Sequence, residues 1–241
     1  MGKLLIDVVT FIDPDSPISE QYRGIRTNIE HVKSKENIQT IFFTSANSGE
    51  GKSTTIINLA VVFAKTGKKV LMVDCDIRKQ SLSESFNVQK AGGFVRMLEE
   101  RSKLSDEIYS TNVTNLSFLP SGQPVKNPAE ILLNPSLSEV VSEMKEQFDL
   151  IFFDTPPISE VADTQILSTK LDRCILIVRE NYSSKDAVVK AKETLDHMGV
   201  KYLGIIHNYA NTGTRNFYGG RRKKYGYGIS DKKKSAFRFW K

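Results

Sequence analysis

The sequence predicts an α/β fold, in which a mainly parallel β-sheet is flanked by helices and followed by a flexible C-terminal tail. Apolar runs of strand length alternate with amphipathic runs of helix length, a pattern typical of strand–helix crossover units. Most of the apolar runs are continuous blocks of Ile, Val, Leu and Phe, as expected for strands that are covered on both faces. A glycine-containing segment follows the first of these strands and opens a helix, which is where a phosphate-binding loop lies in such folds.

Six segments have the composition of buried strands. They are residues 40–44, 69–74, 116–119, 150–154, 174–178 and 202–206. The amphipathic segments between them predict helices at 53–65, 128–146, 161–169 and 185–197. A further helix, from about 17 to 32, precedes the first strand, because Ser16 followed by Pro17 is typical of an N-cap and a first helical position.

Positive charge is concentrated at the C-terminal end of the chain. The 241 residues have a formal net charge of +6, but residues 213–241 contain ten Lys or Arg and one Asp, and so carry +9. The preceding 212 residues therefore carry −3, which argues against nucleic acid as a partner of the domain itself. From residue 211 onward, glycine, tyrosine and basic residues replace the apolar periodicity. We predict one domain over residues 1–210 and a flexible, basic, tyrosine-bearing tail over 211–241.

Composition also bears on where the protein works. The longest apolar run, residues 59–64, is too short to span a membrane, and residues 1–6 do not have the pattern of a secretory signal. Cys75 and Cys174 are too few for a disulfide framework and suit a reducing compartment. We therefore expect a cytoplasmic protein.

The segment after the first predicted strand contains Ala46-x4-Gly51-Lys52-Ser53, a phosphate-binding pattern with alanine in the first glycine position. Glycines let backbone N–H groups turn inward around phosphate oxygens, and the helix N-terminus adds favourable partial charge. In this pattern the lysine reaches the β- and γ-phosphates and the serine hydroxyl binds Mg²⁺. The predicted nucleotide-binding residues are Ser48, Gly49, Glu50, Gly51, Lys52, Ser53 and Thr54.

Two further apolar runs end in acidic residues. Asp74 and Asp76 follow the strand at 69–74, and Asp154 ends the strand at 150–154. Ligands of parallel sheets bind beyond the carboxyl ends of the strands, so these acids are expected to meet the nucleotide and its metal. Mg²⁺ prefers oxygen ligands and takes one or two carboxylates together with phosphate oxygens. Asp76 and Asp154 are the candidate metal ligands, and Asp74 is left to face an incoming nucleophile.

These motifs together resemble those of the bacterial tyrosine kinases. The resemblance covers about residues 16–230. It is carried first by the phosphate-binding pattern, the Asp74-x-Asp76-x-Arg78 segment and the Phe153–Pro157 segment, and two further features match as well. Glu20-x-x-Arg23-x-x-Arg26 resembles the oligomerisation motif of that family. The C-terminal tyrosines Tyr218, Tyr225 and Tyr227 resemble its autophosphorylated cluster. Within the family, the chain is most similar to cytoplasmic kinases of capsular polysaccharide biosynthesis.

The resemblance implies a P-loop NTPase-like fold and a role for each motif residue, with ATP and Mg²⁺ as cofactors. Asp74 would accept the phenolic proton of the substrate tyrosine, and Lys52 would stabilise the transferred phosphoryl group. Ser53, Asp76 and Asp154 would hold Mg²⁺. Arg78 would assist catalysis, although a surface ion pair is nearly as good an interpretation of that residue.

The resemblance also implies partners. Glu20, Arg23 and Arg26 would contact a neighbouring subunit in a closed ring that presents each tail to the next active site. From spacing alone, an exposed helix with internal ion pairs explains these three residues equally well. A transmembrane adaptor of polysaccharide export would activate the kinase and recruit it to the inner face of the membrane. A tyrosine phosphatase and other protein substrates are further expected partners.

The main alternative is a positioning ATPase of the MinD/ParA type, which shares this fold without phosphorylating protein. Such proteins carry a signature lysine at the second position of the phosphate loop, where this chain has Asn47. Nucleic-acid binding by the basic tail would explain its charge but would leave the three acids without a role. The sequence therefore favours a kinase.

Overall fold

The computed structural model of the chain describes residues 4–88 and 92–210, together with the backbone of residues 236–238. The strands of the described residues are β1 (Thr40–Ser45), β2 (Val70–Asp74), β3 (Tyr109–Ser110), β4 (Leu116–Leu119), β5 (Leu150–Asp154), β6 (Arg173–Arg179), β7 (Tyr202–Asn208) and β8 (Ala236–Arg238). They form one sheet in the order β3-β4-β2-β5-β1-β6-β7-β8. The six central strands are parallel, and β3 and β8 pair antiparallel at the two edges.

Helices cover both faces of this sheet. They are α1 (Val9–Ile12), α2 (Pro17–Lys33), α3 (Lys52–Ala64), α4 (Ser81–Ser85), α5 (Phe94–Glu100), α6 (Leu104–Glu107), α7 (Pro128–Leu132), α8 (Ser136–Gln147), α9 (Asp163–Ser168) and α10 (Lys185–His197). The strands contribute to two buried apolar clusters, one shared with α2 and α3 and the other with α5, α8 and α10. These clusters, one on each face of the sheet, confirm the predicted α/β class with a mainly parallel sheet.

All six predicted strands are present, and each observed end lies within two residues of its predicted position. Helix α2 also begins as predicted, because the Ser16 side chain accepts a hydrogen bond from the backbone N–H of Ser19 at 3.2 Å and Pro17 occupies the first turn. Its buried residues, which include Tyr22 and Ile25, lie on the side that packs against α3.

The prediction of one continuous helix over 128–146 is wrong. Helix α7 ends at Leu132 and α8 begins at Ser136, with Pro135 between them at the N-cap position. Proline has no N–H to donate to the preceding turn, and the Asn134 side chain instead accepts from the backbone N–H of Ser136 at 3.0 Å. The short elements α1, α4, α5, α6 and β3 carry too few residues for a periodic signal and were not predicted.

The predicted tail lies mainly outside the described residues, and so do Tyr218, Tyr225 and Tyr227. Within it, the backbone of Ala236–Arg238 forms β8 and pairs with β7, a strand that the sequence analysis does not predict. None of the helices in the described ranges combines the length and the apolar character that crossing a membrane requires.

The order of the strands brings the predicted acids together. Strand β5 lies between β1 and β2, and Asp74 at the end of β2 is the register partner of Asp154 at the end of β5. Phe43 of β1 is the register partner of Asp154 on the other side. The carboxyl ends of β1, β2 and β5 thus form one edge, and the segment after β1 enters α3 at that edge.

Candidate active site

Residues 46–51 form a tight loop between β1 and α3, which we call the nucleotide loop. Gly49 and Gly51 have φ angles of +78° and +92°, in the left-handed region that favours glycine. A Cβ atom on Gly51 would lie 2.1 Å from Nδ2 of Asn208, so no larger residue fits there without moving that side chain. The Nδ2 group of Asn208 donates a hydrogen bond to the backbone carbonyl of Glu50 at 3.0 Å.

Lys52 is the first residue of α3 and its side chain is largely buried. Its Nζ donates to Oγ of Ser45 at 3.2 Å, so the ammonium group reaches back to the end of β1. Burial raises the pKa of both Asp154 and Asp76, and the positive charge of Lys52 lies close enough to oppose that rise. The predicted phosphate-binding lysine therefore lies among the predicted metal ligands.

Ser53 and Asp154 are in direct contact, since Oγ of Ser53 donates to Oδ2 of Asp154 at 2.5 Å. The second carboxylate oxygen of Asp154, Oδ1, is buried and has no hydrogen-bond partner among the described residues. Burial raises the pKa of Asp154 above its ordinary value, and Lys52 and Ser53 partly oppose that rise. A buried acceptor without a donor is costly, and Oδ1 is therefore suited to bind a cation directly or through water.

Asp74 lies fully buried at the end of β2. Its Oδ2 accepts two hydrogen bonds of 2.7 Å from Ser83, one from the backbone N–H and one from the hydroxyl. Its Oδ1 accepts from the backbone N–H of Asp76 at 3.1 Å. Burial raises the pKa of Asp74 to about 8, the charge of Asp154 adds to the rise, and the Ser83 donors oppose it. The carboxyl group is thereby fixed in orientation and is more basic than an ordinary aspartate.

Asp76 lies two residues further along and is also buried. Its Oδ1 accepts from the backbone N–H of Lys79 at 3.1 Å. Burial raises the pKa of Asp76, while this hydrogen bond and the positive charges of Lys52 and Lys79 oppose the rise. The predicted metal ligands Ser53, Asp76 and Asp154 therefore lie at one edge of the sheet, around Lys52.

The donor set of this edge fits Mg²⁺. The candidate ligands are one hydroxyl and two carboxylates, and Mg²⁺ takes oxygen ligands, only one or two of them carboxylates, with water and phosphate oxygens completing its shell. In the described part of the chain, no three His, Cys, Asp or Glu side chains converge tightly enough to hold a metal ion alone. The hydroxyl and the two carboxylates suit a metal ion that shares its shell with the phosphates of a nucleotide.

Arg78 does not join this cluster as a free cation. Its Nε and Nη2 donate to the two carboxylate oxygens of Asp163 at 3.0 and 3.3 Å. Asp163 is fully buried, whereas the Arg78 side chain is 43% exposed. Arg78 is therefore part of an ion pair in this structure. The pair joins the segment after β2 to the first residue of α9.

The other predicted loop residues have different surroundings. Glu50 points inward, and its Oε1 accepts from Nδ2 of Asn47 at 3.0 Å and from the hydroxyl of Ser183 at 2.7 Å. The backbone N–H of Ser48 donates to Oε1 of Glu160 at 3.2 Å. The Thr54 side chain is exposed on the first turn of α3.

Several residues that contact the site are missed by sequence reasoning: Ser83, Glu160, Asp163, Arg179, Tyr182 and Ser183. The one signal for Ser83 in the sequence is weak: it lies nine residues after Asp74, in the segment that follows the same strand. The others reach the site from loops and from the ends of helices and strands distant in sequence, and they match no short motif.

Glu20, Arg23 and Arg26 lie on α2 and make contacts within the chain. Nη2 of Arg23 lies 2.6 Å from a carboxylate oxygen of Glu20, and Nη1 of Arg23 donates to the carbonyl of Pro14 at 2.6 Å. Nη1 of Arg26 donates to the carbonyl of Val62 in α3 at 2.9 Å. These contacts agree with the interpretation of α2 as a helix with internal ion pairs. The Glu20 side chain is 69% exposed, so a partner could also reach it.

Comparison with known proteins places this site in context. Residues 38–201 match the family described as an AAA domain. The chain is 39% identical over 213 residues to the tyrosine-protein kinase YwqD of Bacillus subtilis, an alignment that covers 88% of this chain and 90% of that one. The crystal structure of the chimerical protein CapA2B2 matches with a TM-score of 0.79 and 34% identity, over 85% of this chain and 92% of that one. The septum site-determining protein MinD of Pyrococcus horikoshii OT3, solved with Mg-ADP, matches less well, with a TM-score of 0.60 and 27% identity over 76% of this chain and 74% of that one.

Proposed function

The chain belongs to the bacterial tyrosine-protein kinases, and we propose that it transfers the γ-phosphate of ATP to tyrosines in the tails of neighbouring copies of itself. One observation carries this proposal: a buried, basic carboxylate, Asp74, is the register partner of Asp154, which is hydrogen-bonded to Ser53 of the P-loop motif. A phosphate-binding lysine, a hydroxyl and three acids at one edge supply the groups that phosphoryl transfer to a phenol requires.

Binding and orientation of ATP fall to the nucleotide loop and the start of α3. Backbone N–H groups of residues 49–54 would hold the phosphates, and the ammonium group of Lys52 would stabilise charge on the transferred phosphoryl group. Ser53 and Asp154 would hold Mg²⁺ with Asp76, and the ion would offset negative charge on the phosphates. The MinD match, which was solved with Mg-ADP, supports the same pair of cofactors for this chain.

Asp74 would accept the proton of the attacking hydroxyl. A tyrosine phenol has a pKa of about 10 and must lose its proton as the new O–P bond forms. The Oδ2 atom of Asp74 is occupied by the two Ser83 donors, whereas Oδ1 accepts a single backbone hydrogen bond. We therefore assign Oδ1 as the proton acceptor. The proton moves from the phenol to Asp74 while ADP leaves.

The tail supplies the acceptors in this proposal. Tyr218, Tyr225 and Tyr227 lie in the segment that carries +9, and the preceding domain carries −3, so the tail is attracted to an acidic site. Each phosphate adds about −1.5 to −2 charges, which weakens that attraction after transfer. The tail would thus be a basic substrate that is released once it is modified.

Incubation of the full chain with ATP and Mg²⁺ is expected to yield phosphotyrosine, which a blot detects. Replacing Tyr218, Tyr225 and Tyr227 together by phenylalanine is expected to remove most of that signal. Supplying the Lys52→Met chain as acceptor with wild-type enzyme tests transfer between copies, because the acceptor cannot label itself. Absence of any phosphotyrosine, even with a cytoplasmic peptide of the adaptor added, would contradict the kinase proposal. Retention of the full signal in the triple variant would contradict the assignment of the acceptors.

The ring would use the exposed side of α2. Because Arg26 bonds the carbonyl of Val62, its loss disturbs the packing of α2 on α3, and a variant that spares it is needed. Glu20→Ala combined with Arg23→Ala removes their ion pair and the bond from Arg23 to the Pro14 carbonyl, but keeps the bond from Arg26 to Val62. We expect the native mass of this variant to shift towards the monomer, as that of Arg23→Ala with Arg26→Ala would. Arg96→Ala, on α5, serves as the control, and a native mass equal to wild type in both α2 variants would reject the interface.

The cellular role follows from the family. We assign the chain to the regulation of capsular or exopolysaccharide synthesis and export, with a membrane adaptor as activator and a tyrosine phosphatase as antagonist. The adaptor would recruit the kinase to the inner face of the membrane. A positioning ATPase of the MinD type is disfavoured, because Asn47 bonds Glu50 within the loop where that class has its signature lysine.

A further inference from the structure

The guanidinium group of Arg179 lies over two tyrosine rings beside the nucleotide loop. Its central carbon is 4.9 Å from the centroid of the Tyr182 ring and 4.4 Å from that of Tyr209. Arg179 is the last residue of β6, Tyr182 follows in the turn before α10, and Tyr209 directly follows β7. We call these three side chains the arginine stack. A cation that lies over two aromatic rings is attracted to both.

The arginine stack holds two successive carbonyl groups of the nucleotide loop. Nη1 of Arg179 donates to the carbonyl of Gly49, and the hydroxyl of Tyr182 donates to the carbonyl of Ser48, both at 3.0 Å. A Cβ atom on Gly51 would lie 3.5 Å from the Tyr209 ring, so that ring lies against the same loop. The stack therefore contacts the loop at three of its residues.

These contacts set the direction of the phosphate-binding groups. In a trans peptide the C=O and the following N–H point in opposite directions, and the described chain has no cis peptide. Fixing the carbonyls of Ser48 and Gly49 towards the arginine stack therefore turns the N–H groups of Gly49 and Glu50 away from it. Those N–H groups belong to the set that the P-loop pattern assigns to phosphate.

We propose that Arg179 is a positioning residue for nucleotide binding, and that its contact with Tyr209 couples the nucleotide loop to the root of the tyrosine-bearing tail. This inference rests on the proposed function for the role of the tail. Tyr209 has a φ angle of +58°, an uncommon conformation for a residue with a large side chain, and its ring is packed on Arg179 and the loop. The tail begins two residues later, at 211.

Coupling between two sites is reciprocal. If the arginine stack favours the loop conformation that binds phosphate, then bound nucleotide favours the packed position of Tyr209. ATP would in this way hold the root of the tail in one place while a neighbouring copy engages the tail.

The test measures ADP affinity and kinase kinetics for the full chain and its variants. Arg179→Ala is expected to weaken ADP binding about tenfold, because one charge-assisted hydrogen bond and two stacking contacts are lost. KM for ATP should rise with kcat at saturating ATP nearly unchanged, and Arg179→Lys should recover part of the affinity. Tyr209→Leu should weaken ADP binding, whereas Tyr209→Phe, which keeps the ring, should bind as wild type does.

Lys192→Ala is the matched control, because Nζ of Lys192 lies 6.0 Å from the centroid of the Tyr202 ring, a similar contact that involves no loop residue. Hydrogen exchange supplies a second readout: ADP should slow amide exchange at residues 205–210 in the wild type but not in Arg179→Ala. If Arg179→Ala does not fold, Arg179→Lys and Tyr209→Leu decide the question. Wild-type ADP affinity in Arg179→Ala would overturn the positioning role. If that variant does not fold, wild-type affinity in both Arg179→Lys and Tyr209→Leu would do so. A wild-type chain that binds ADP and forms no phosphotyrosine would instead refute the proposed function.

Discussion

Replacement of Lys52 by methionine is expected to lower kcat/KM for tyrosine phosphorylation by about 10³-fold, the scale of losing one strong electrostatic contact to a transition state. Methionine has a similar length and fills the buried space, so the loss reflects charge rather than volume. The ammonium group also lowers the pKa of Asp154 and Asp76, and without it both carboxyls become harder to ionise. Nucleotide affinity should fall in the same variant, measured as the Kd for ADP.

Lys65→Met provides the matched control for this prediction. Lys65 directly follows α3, at the opposite end from Lys52, and its exposed side chain donates to the carbonyl of Thr10 at 2.6 Å. The same substitution there should leave kcat/KM within about threefold of wild type, since exposed polar contacts contribute little. Comparable losses in both variants, or robust autophosphorylation by Lys52→Met, would remove Lys52 from the mechanism.

The parts of the site that short sequence patterns indicate could be predicted. Lys52 and Ser53 follow a strand in a recognisable glycine pattern, and Asp74 and Asp154 end apolar runs. Parallel strands bring their carboxyl ends to one edge, so a local pattern was enough to predict that these side chains lie near one another. The strand order that makes Asp74 and Asp154 register partners is a property of the whole sheet, and no segment encodes it alone.

Contacts made across long stretches of sequence could not be predicted. Arg179 meets Gly49 across 130 residues, and Arg78 meets Asp163 across 85. In the sequence, Arg179 is only the charged residue that ends an apolar run. Its contact with the nucleotide loop depends on β6 lying beside β1 in the sheet. The break at Pro135 is different, because the rule for proline within a helix applies to the sequence directly and indicates a boundary there.

Asp74→Asn is expected to lower kcat for autophosphorylation by about 10³-fold, within the range that a general base contributes. The amide has nearly the shape of the carboxyl group, but it cannot accept the phenolic proton. Because the proposed nucleotide contacts lie in the loop and at Lys52, the Kd for ADP should change little. Asp163→Asn removes another buried carboxylate, the partner of Arg78, and it should reduce stability more than kcat. A kcat for Asp74→Asn within tenfold of wild type would refute the proposed base.

Ser83 offers a graded test of the same assignment. Its hydroxyl and its backbone N–H both donate to Oδ2 of Asp74 and favour the ionised carboxylate, so they oppose the rise in pKa that burial causes. Ser83→Ala removes one of these two donors and should raise the pKa of Asp74 further. Only the ionised form can accept a proton, so kcat should increase with pH, and in Ser83→Ala that increase should occur at higher pH than in wild type. An unchanged kcat–pH profile in Ser83→Ala would mean that Asp74 does not carry the proton, since the substituted hydroxyl is bonded to the acceptor carboxylate itself.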